Sequence, residues 1–425
     1  MQSNTPKPLQ INPLKLSQPM GALICFLGIK NTMPLMHGAQ GCASFSKVFF
    51  TRHFNDPIAI QTTAVNDITA VLDGGDYSIS EAIKNITAKV QPDLVGLFTT
   101  GLTETKGDDI KGATYLLRDV QKMVYVHTPD FEGGLESGYG KSIEAIIEQL
   151  VEKKEVITKN KVTLIPNVNL TPLEVEKIKE QIELFGFETL ALPDISESLD
   201  GHLGVKQGAL SNGGISISEI AELATSQLVI TIGESVKKSG EKLQEKNPLM
   251  THLHFESLSG LLQSDLFYKG LLEYSESKIP PKSVVRWRKR VQDALLDTHF
   301  KLGGKKIIIA LENDEARSIA IALKEVGVAI VCIVVPNKIV TSFESLSKNV
   351  IVGDFEDVEK NILSSDADIL ISNFHGERLV HKYHKVLIPR GFPNYEVIGN
   401  NLRNNVLYEG SCNLLFEIAN SLTME

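Results

Sequence analysis

Short apolar runs, separated by stretches with apolar residues at helical spacing, dominate this chain. Residues 93–99 (DLVGLFT) and 123–127 read as buried parallel strands, with a helix between them that follows 100–109 and ends near Val120. Ile143, Ile146, Ile147 and Leu150 fall on one helical face and predict a helix over 141–153. The charged stretch 153–161 then marks a first boundary. Beyond it the pattern restarts: strand 162–166, helix 172–185, strand 187–192, a glycine-bearing connection over 194–214, helix 217–224 and strand 228–232. Thr171, Pro172 and Glu174 give the helix at 172 a capped start with proline in its first turn. Residues 237–246 read as a lysine-rich surface segment, and Pro280-Pro281 as a second break.

A long helix over 283–300 leads to Gly303-Gly304 and a third alternation. It reads strand 306–311, helix 315–326, strand 329–335, strand 350–352, helix 354–363, strand 368–372, helix 376–384 and strand 386–389. A last helix over 413–422 is placed to return to an earlier part of the chain. Residues 1–19, with Pro6, Pro8, Pro13 and Pro19, read as an extended arm. The expected fold class is α/β: three Rossmann-like domains, each a parallel sheet flanked by helices, over 1–158, 159–300 and 301–425.

Charge and composition narrow the function. Lys and Arg number 43 against 52 acidic residues, a net charge of −9, so an electrostatic grip on nucleic acid is not expected. The one basic cluster, Arg286, Arg288, Lys289 and Arg290, reads as a solvated helix face. The 42% hydrophobic content supports sizeable cores. No apolar run reaches the roughly 20 residues of a membrane span. With the polar, proline-rich start, this predicts a cytoplasmic protein without a membrane partner.

Four cysteines, with no CxxC pair, make no disulfide framework. Cys25, Cys332 and Cys412 sit in or beside apolar runs and read as buried thiols. Cys42 differs. It ends a small-residue loop, His37-Gly38-Ala39-Gln40-Gly41-Cys42, after the apolar run 20–29 and ahead of Phe45, Val48 and Phe49. Glycines there let the backbone turn tightly and approach a bulky ligand, the setting a metal-binding thiolate needs. A free cysteine is also at home as a small buried apolar side chain, and spacing leaves both readings open. If Cys42 binds an iron–sulfur cluster, which normally takes four protein ligands, the others must come from another polypeptide.

Other candidates are weaker. His252 and His254 alternate in THLHF, and His375, His381 and His384 fall near one predicted helix, but no Cys or carboxylate completes a zinc spacing. The segment 205–214 (VKQGALSNGG) matches neither nucleotide fingerprint, so no bound nucleotide is expected. Glu104, Asp108 and Asp109 stand where carboxylates cap a helix.

Several runs together resemble the nitrogenase component 1 family: 12–42 (NPLKLSQPMGALICFLGIKNTMPLMHGAQGC), 99–110 (TTGLTETKGDDI), 127–138 (HTPDFEGGLESG), 295–311, 390–400 (RGFPNYEVIGN) and 414–420. The resemblance covers nearly the whole chain. Where catalytic β subunits of that family carry two of their cluster cysteines, this chain has Ser17 and Gly101, and only Cys42 remains. The resemblance therefore implies a β-like scaffold subunit, more an assembly platform than an enzyme, on which the iron–molybdenum cofactor matures before transfer to apo-nitrogenase.

It also implies a homologous α-like partner in an α2β2 heterotetramer and transient visits by the nitrogenase iron protein and a precursor donor. A [4Fe–4S] cluster would lie at the subunit interface, bound on this side by Cys42 and lined by Ser17, Gly41 and Gly101. Glu104, Asp108 and Asp109 would lie near it. The cofactor precursor would be carried by the complex, mainly on the α-like chain. The alternative within the same resemblance is a reductase subunit, either a nitrogenase β chain or a dark-operative protochlorophyllide reductase component. A metal-free Rossmann-like transferase is the rival outside it.

Overall fold

The computed structural model describes residues 12–54, 58–65, 75–201, 208–338 and 341–422. The expected arm falls mostly outside these residues, as does part of 205–214. Among the described residues, thirteen strands form three sheets in which every pairing is parallel. The first holds β1 (Thr32–His37), β2 (Gln61–Thr62), β3 (Leu94–Thr99) and β4 (Met123–Val126) in the order β2-β1-β3-β4. The second holds β5 (Thr158–Ile165), β6 (Glu188–Ala191), β7 (Ser226–Ile232) and β8 (Thr251–Phe255), ordered β6-β5-β7-β8. The third holds β9 (Lys306–Ala310), β10 (Ala329–Val335), β11 (Val350–Val352), β12 (Ile369–Ser372) and β13 (Val386–Pro389), ordered β11-β10-β9-β12-β13. Each order reverses direction once, which opens a crevice at the carboxyl ends of the strands flanking the reversal.

β1 carries Pro34 although it lies between two strands. Pro34 pairs with Gly96 of β3, while β2 reaches only Leu35 and Met36, so the missing N–H falls where no second strand needs it. Four elements differ from the sequence expectation. The end of the expected arm is helical: Gln18–Leu27 is a helix, with Pro19 in its first turn, where a proline lacks no useful donor. Every residue of that helix is buried, so its apolar run carries no periodicity to read. The lysine-rich segment Lys237–Lys246 is an α-helix. The helix expected from 141 begins six residues earlier and spans Leu135–Leu150. The last helix, Leu407–Ser421, also starts earlier than expected. Its first turns join the large core shared by the first two sheets, and Leu414, Leu415 and Ile418 pack into the third.

Helices Gln18–Leu27 and Leu135–Leu150 cross with their backbones in contact. A Cβ on Gly21 would run into the Leu135 carbonyl, and one on Gly138 into the Gln18 carbonyl. That crossing ties the amino-terminal helix, and Ser17 at its start, to the first sheet.

The third unit buries a carboxyl group whose titration is measurable. Glu315, on helix Asn313–Glu325, accepts the Gly391 N–H at 3.0 Å, while its Oε2 has no protein partner. Burial raises its carboxyl to about 7, against the opposing pull of Arg390. Because the folded value lies above the unfolded one, folding takes up a proton between the two. The group's contribution is fully present below about pH 4.5 and declines as pH rises through 7. We expect wild-type stability to fall between pH 5 and 8, relative to Glu315→Gln, by on the order of 2–3 kcal/mol. Urea midpoints of both proteins across that range measure the difference; parallel curves would contradict it.

Candidate metal-cluster site

The crevice of the first sheet opens between β1 and β3, and the chain leaving each strand brings one candidate residue to it. β1 ends at His37, and helix Gln40–Phe49 starts two residues after Gly38. Cys42 is thus the third residue of a helix rather than part of a turn, preceded by extended backbone at Ala39 (φ −76°, ψ 152°). Gly38 matters for packing between β1 and β3, because a Cβ there would press on the Thr100 side chain. Gly41 has another meaning. Its added Cβ would meet nothing within 4 Å, so it faces open space. β3 ends at Thr99, and Gly101 opens the short helix Gly101–Lys106. Ser17 stands at the residue before helix Gln18–Leu27, its side chain making no capping hydrogen bond.

Asp130 lies in the loop after β4. Its Oδ2 accepts the Gly101 N–H at 2.9 Å, and Ser17 lies on the side from which the carboxylate's charge is favoured. A Cβ on residue 101 would lie 3.1 Å from that same Oδ2. Burial raises the Asp130 carboxyl, and Gly101 and Ser17 pull the other way. The charge reaches Cys42 as well: partial burial of the sulfur raises the thiol above its usual value, and Asp130 raises it further. Gly101 is therefore bonded to a carboxylate that also bears on the Cys42 thiol and that sequence reasoning did not single out. Its motif, HTPDFEGG, offers two acidic residues before two glycines and no spacing that points to a site.

Beneath the crevice the floor is fixed by buried polar contacts. His37 is fully buried, with Nδ1 2.8 Å from Thr63 Oγ1 and Nε2 2.9 Å from Asp108 Oδ2. Burial lowers its pKa, and Asp108 works in the other direction. The His37 carbonyl accepts from Thr100 and Thr103 hydroxyls at 3.1 and 3.0 Å, which joins the ends of β1 and β3. Glu104 meets His127 Nδ1 at 2.7 Å, and Asp109 caps helix Ile110–Leu116 by accepting the Gly112 N–H. The three carboxylates are thus committed to structural contacts within this chain.

The remaining candidates separate. Cys25, Cys332 and Cys412 are buried, and Cys42 is the exposed free cysteine. His252 and His254 both bond the Thr231 hydroxyl, at 2.8 and 2.9 Å, and His254 also meets Glu234. His381 pairs with Glu377, whereas His384 ends the helix in a left-handed conformation. Among the described residues no three His, Cys, Asp or Glu side chains gather as a metal-binding group. In the basic cluster, Arg288 forms a two-point pair with Asp265 and Arg290 lies over the Trp287 ring. Among the described residues, no helix is long and apolar enough to cross a membrane.

The donor set fits one edge of a shared cluster and not a whole one. A single exposed thiol, a glycine that leaves space before it and no second sulfur can supply one soft ligand to iron. Large apolar side chains are exposed on the same segments: Phe45 (67%) and Val48 on the helix that carries Cys42, Leu102 next to Gly101, and Phe131 (64%) in the loop after β4.

Residues 17–423 match the family described as nitrogenase component 1 type oxidoreductase. The nitrogenase iron-molybdenum cofactor biosynthesis protein NifN of Rippkaea orientalis is 36% identical to this chain, over 99% of this chain and 96% of that protein. The NifN proteins of Rhodobacter capsulatus and Klebsiella pneumoniae are 36% and 32% identical, covering 97% and 98% of this chain and 91% and 92% of theirs. Among solved structures, a chain of nitrogenase Cp1 at pH 6.5 superposes with a TM-score of 0.93 at 26% identity, over 99% of this chain and 95% of that one. A chain of nitrogenase Cp1 at pH 5 gives 0.74 at 13% identity, over 99% and 91%, a likeness of fold alone.

Proposed function

The chain belongs to the nitrogenase component 1 family, and from that premise we propose that it is the β-like subunit of the scaffold on which the nitrogenase iron–molybdenum cofactor matures before transfer to apo-nitrogenase. The names of its full-length relatives support the cofactor-biosynthesis role. The observation that carries the residue-level reading is the lone exposed thiol. Cys42 is carried by the helix that follows β1 and Gly101 opens the helix that follows β3, and neither Gly101 nor Ser17 offers sulfur. A homologous α-like subunit resembling NifE supplies the other ligands, and the two chains assemble as an α2β2 heterotetramer.

Cys42 would hold one iron of a [4Fe–4S] cluster at that interface, with Ser17, Gly41 and Gly101 lining the pocket. The cluster supplies one-electron transfer when bound. This chain's own part is to present the Cys42 thiolate, leave room for the cluster at Gly41 and seal the pocket against water with Phe45 and Phe131. The nitrogenase iron protein and a precursor donor visit the complex. The cofactor precursor is carried by the assembled complex, mainly on the α-like chain. The grouping of the strands into three sheets supports a division of this chain into three parts, with the cut at 158/159 one residue inside β5 and that at 300/301 in the last turn of helix Lys282–Leu302.

The test is delivery. The anaerobic complex of both chains, supplied with iron–sulfur precursor, molybdate, homocitrate, reductant, the iron protein and MgATP, is expected to activate apo-nitrogenase. It is expected to reduce neither dinitrogen nor protochlorophyllide at enzymatic rates. Substrate turnover without any transfer of cofactor would favour the reductase alternative.

A further inference from the structure

We propose that the cleft at the carboxyl ends of β7, β9 and β10 is a binding site for a small organic cation, a molecule carrying primary ammonium groups. The inference does not rest on the cluster reading and concerns a different part of the chain.

The cleft has a volume of about 370 Å3, within the roughly 300–1,000 Å3 of small-molecule sites. Glu234, Glu312 and Asn337 line it, each two residues beyond the end of β7, β9 and β10 respectively. Open α/β sheets hold their ligands at such strand ends. Helix Leu135–Leu150 closes another side and contributes Glu136.

The wall is rich in acceptors and short of positive charge. Glu136, Glu312 and Asp314 are 6%, 7% and 2% exposed. Among the described residues, no Lys, Arg or His forms an ion pair with any of the three. Neutral donors hold them instead. Glu136 Oε1 accepts the Asp314 N–H at 2.7 Å and Asn169 Nδ2 at 2.8 Å. Asp314 accepts the N–H groups of Glu234 and Ser235 at 2.9 and 3.1 Å, and the Ser235 hydroxyl at 2.6 Å. Glu312 accepts Asn337 Nδ2 at 3.1 Å. Three cations that border the cleft are engaged elsewhere: Lys141, Lys238 and Arg317 pair with Glu132, Glu144 and Glu256. A fourth, Lys338, is exposed at the rim.

The amino end of helix Asn313–Glu325 attracts acidic side chains, which accounts for the place of Asp314 but leaves the summed charge unbalanced. Burial raises all three carboxyls, Glu312 to about 8, and a bound cation can take the place of the protons that this favours. Asn313 points to a ligand independently. It lines the same cleft and is 8% exposed, and its buried Oδ1 has no partner. A buried amide oxygen left without a donor is costly, and a ligand N–H is what it accepts. No three His, Cys, Asp or Glu side chains among the described residues gather as a metal-binding group. An ammonium group, with three N–H donors, therefore suits this wall better than a bare metal ion.

The experiment is calorimetric titration of the anaerobic complex with methylammonium, 1,4-diaminobutane and spermidine, with 1,4-butanediol as the uncharged counterpart. At least one amine should bind saturably, and about tenfold or more tighter than the diol. Glu136→Gln and Glu312→Gln should each weaken that amine about tenfold, and Asn313→Ala about threefold or more. Absence of saturable binding by all three amines overturns the proposal. So does a diol that binds as tightly, or an affinity unchanged in all three variants, since the amine would then sit elsewhere. Should the glutamine variants fail to assemble, Asn313→Ala decides: weakened binding supports the site, and unchanged binding overturns it.

Discussion

Replacing Gly138 with valine is expected to destabilise the protein by about 3 kcal/mol or more and to leave little soluble complex. The reason is backbone against backbone. At the crossing of helices Gln18–Leu27 and Leu135–Leu150, a side chain on residue 138 meets the main chain of Gln18, which has no rotamer through which to escape. Gly21→Val meets Leu135 and Tyr139 main chain from the other side and should behave alike. The consequence reaches the site, because the helix pushed away carries Ser17 at its start. Gly41→Ala is the control. It adds a methyl group with nothing within 4 Å, inside a helix, and should leave the urea midpoint within about 0.5 kcal/mol of wild type. Equal midpoints for Gly138→Val and wild type would mean that the helices do not cross as described.

Loss of the interface cluster is the second large effect expected, from Cys42→Ala. The side chain is exposed on helix Gln40–Phe49 and makes no protein contact that alanine would forfeit at comparable cost, so the complex should still form. What disappears is the one sulfur this chain offers at the crevice. Iron per complex should fall by one four-iron cluster, and the matching EPR signal should vanish or change form. The same substitution at Cys25 would open a cavity in a fully buried site and should cost stability without touching that signal. A Cys42→Ala complex with undiminished iron and an unchanged spectrum would remove the ligand role from this chain.

The three parallel sheets were legible because their strands are runs of β-branched and large apolar residues. β9 and β10, KIIIA and AIVCIVV, leave little alternative. β1 was not legible, since Pro34 argues against a strand between two others until the short reach of β2 is known. The helix at Gln18–Leu27 was hidden because burial on all sides erases the contrast that periodicity needs. The early start of Leu135–Leu150 was hidden by Gly138 and Gly140, which read as loop but serve close packing. Cys42 could be singled out as the cysteine outside an apolar run. Asp130 could not, because its contact is to the Gly101 N–H, 29 positions away.

Iron analysis and EPR on three anaerobic preparations, this chain alone, the α-like partner alone and the two together, bear most directly on the shared-site claim. The account predicts a complete four-iron cluster of the interface type in the complex and in neither chain by itself. A full cluster of that type on this chain alone would contradict it, since one exposed thiol would then not be the whole of what this chain contributes.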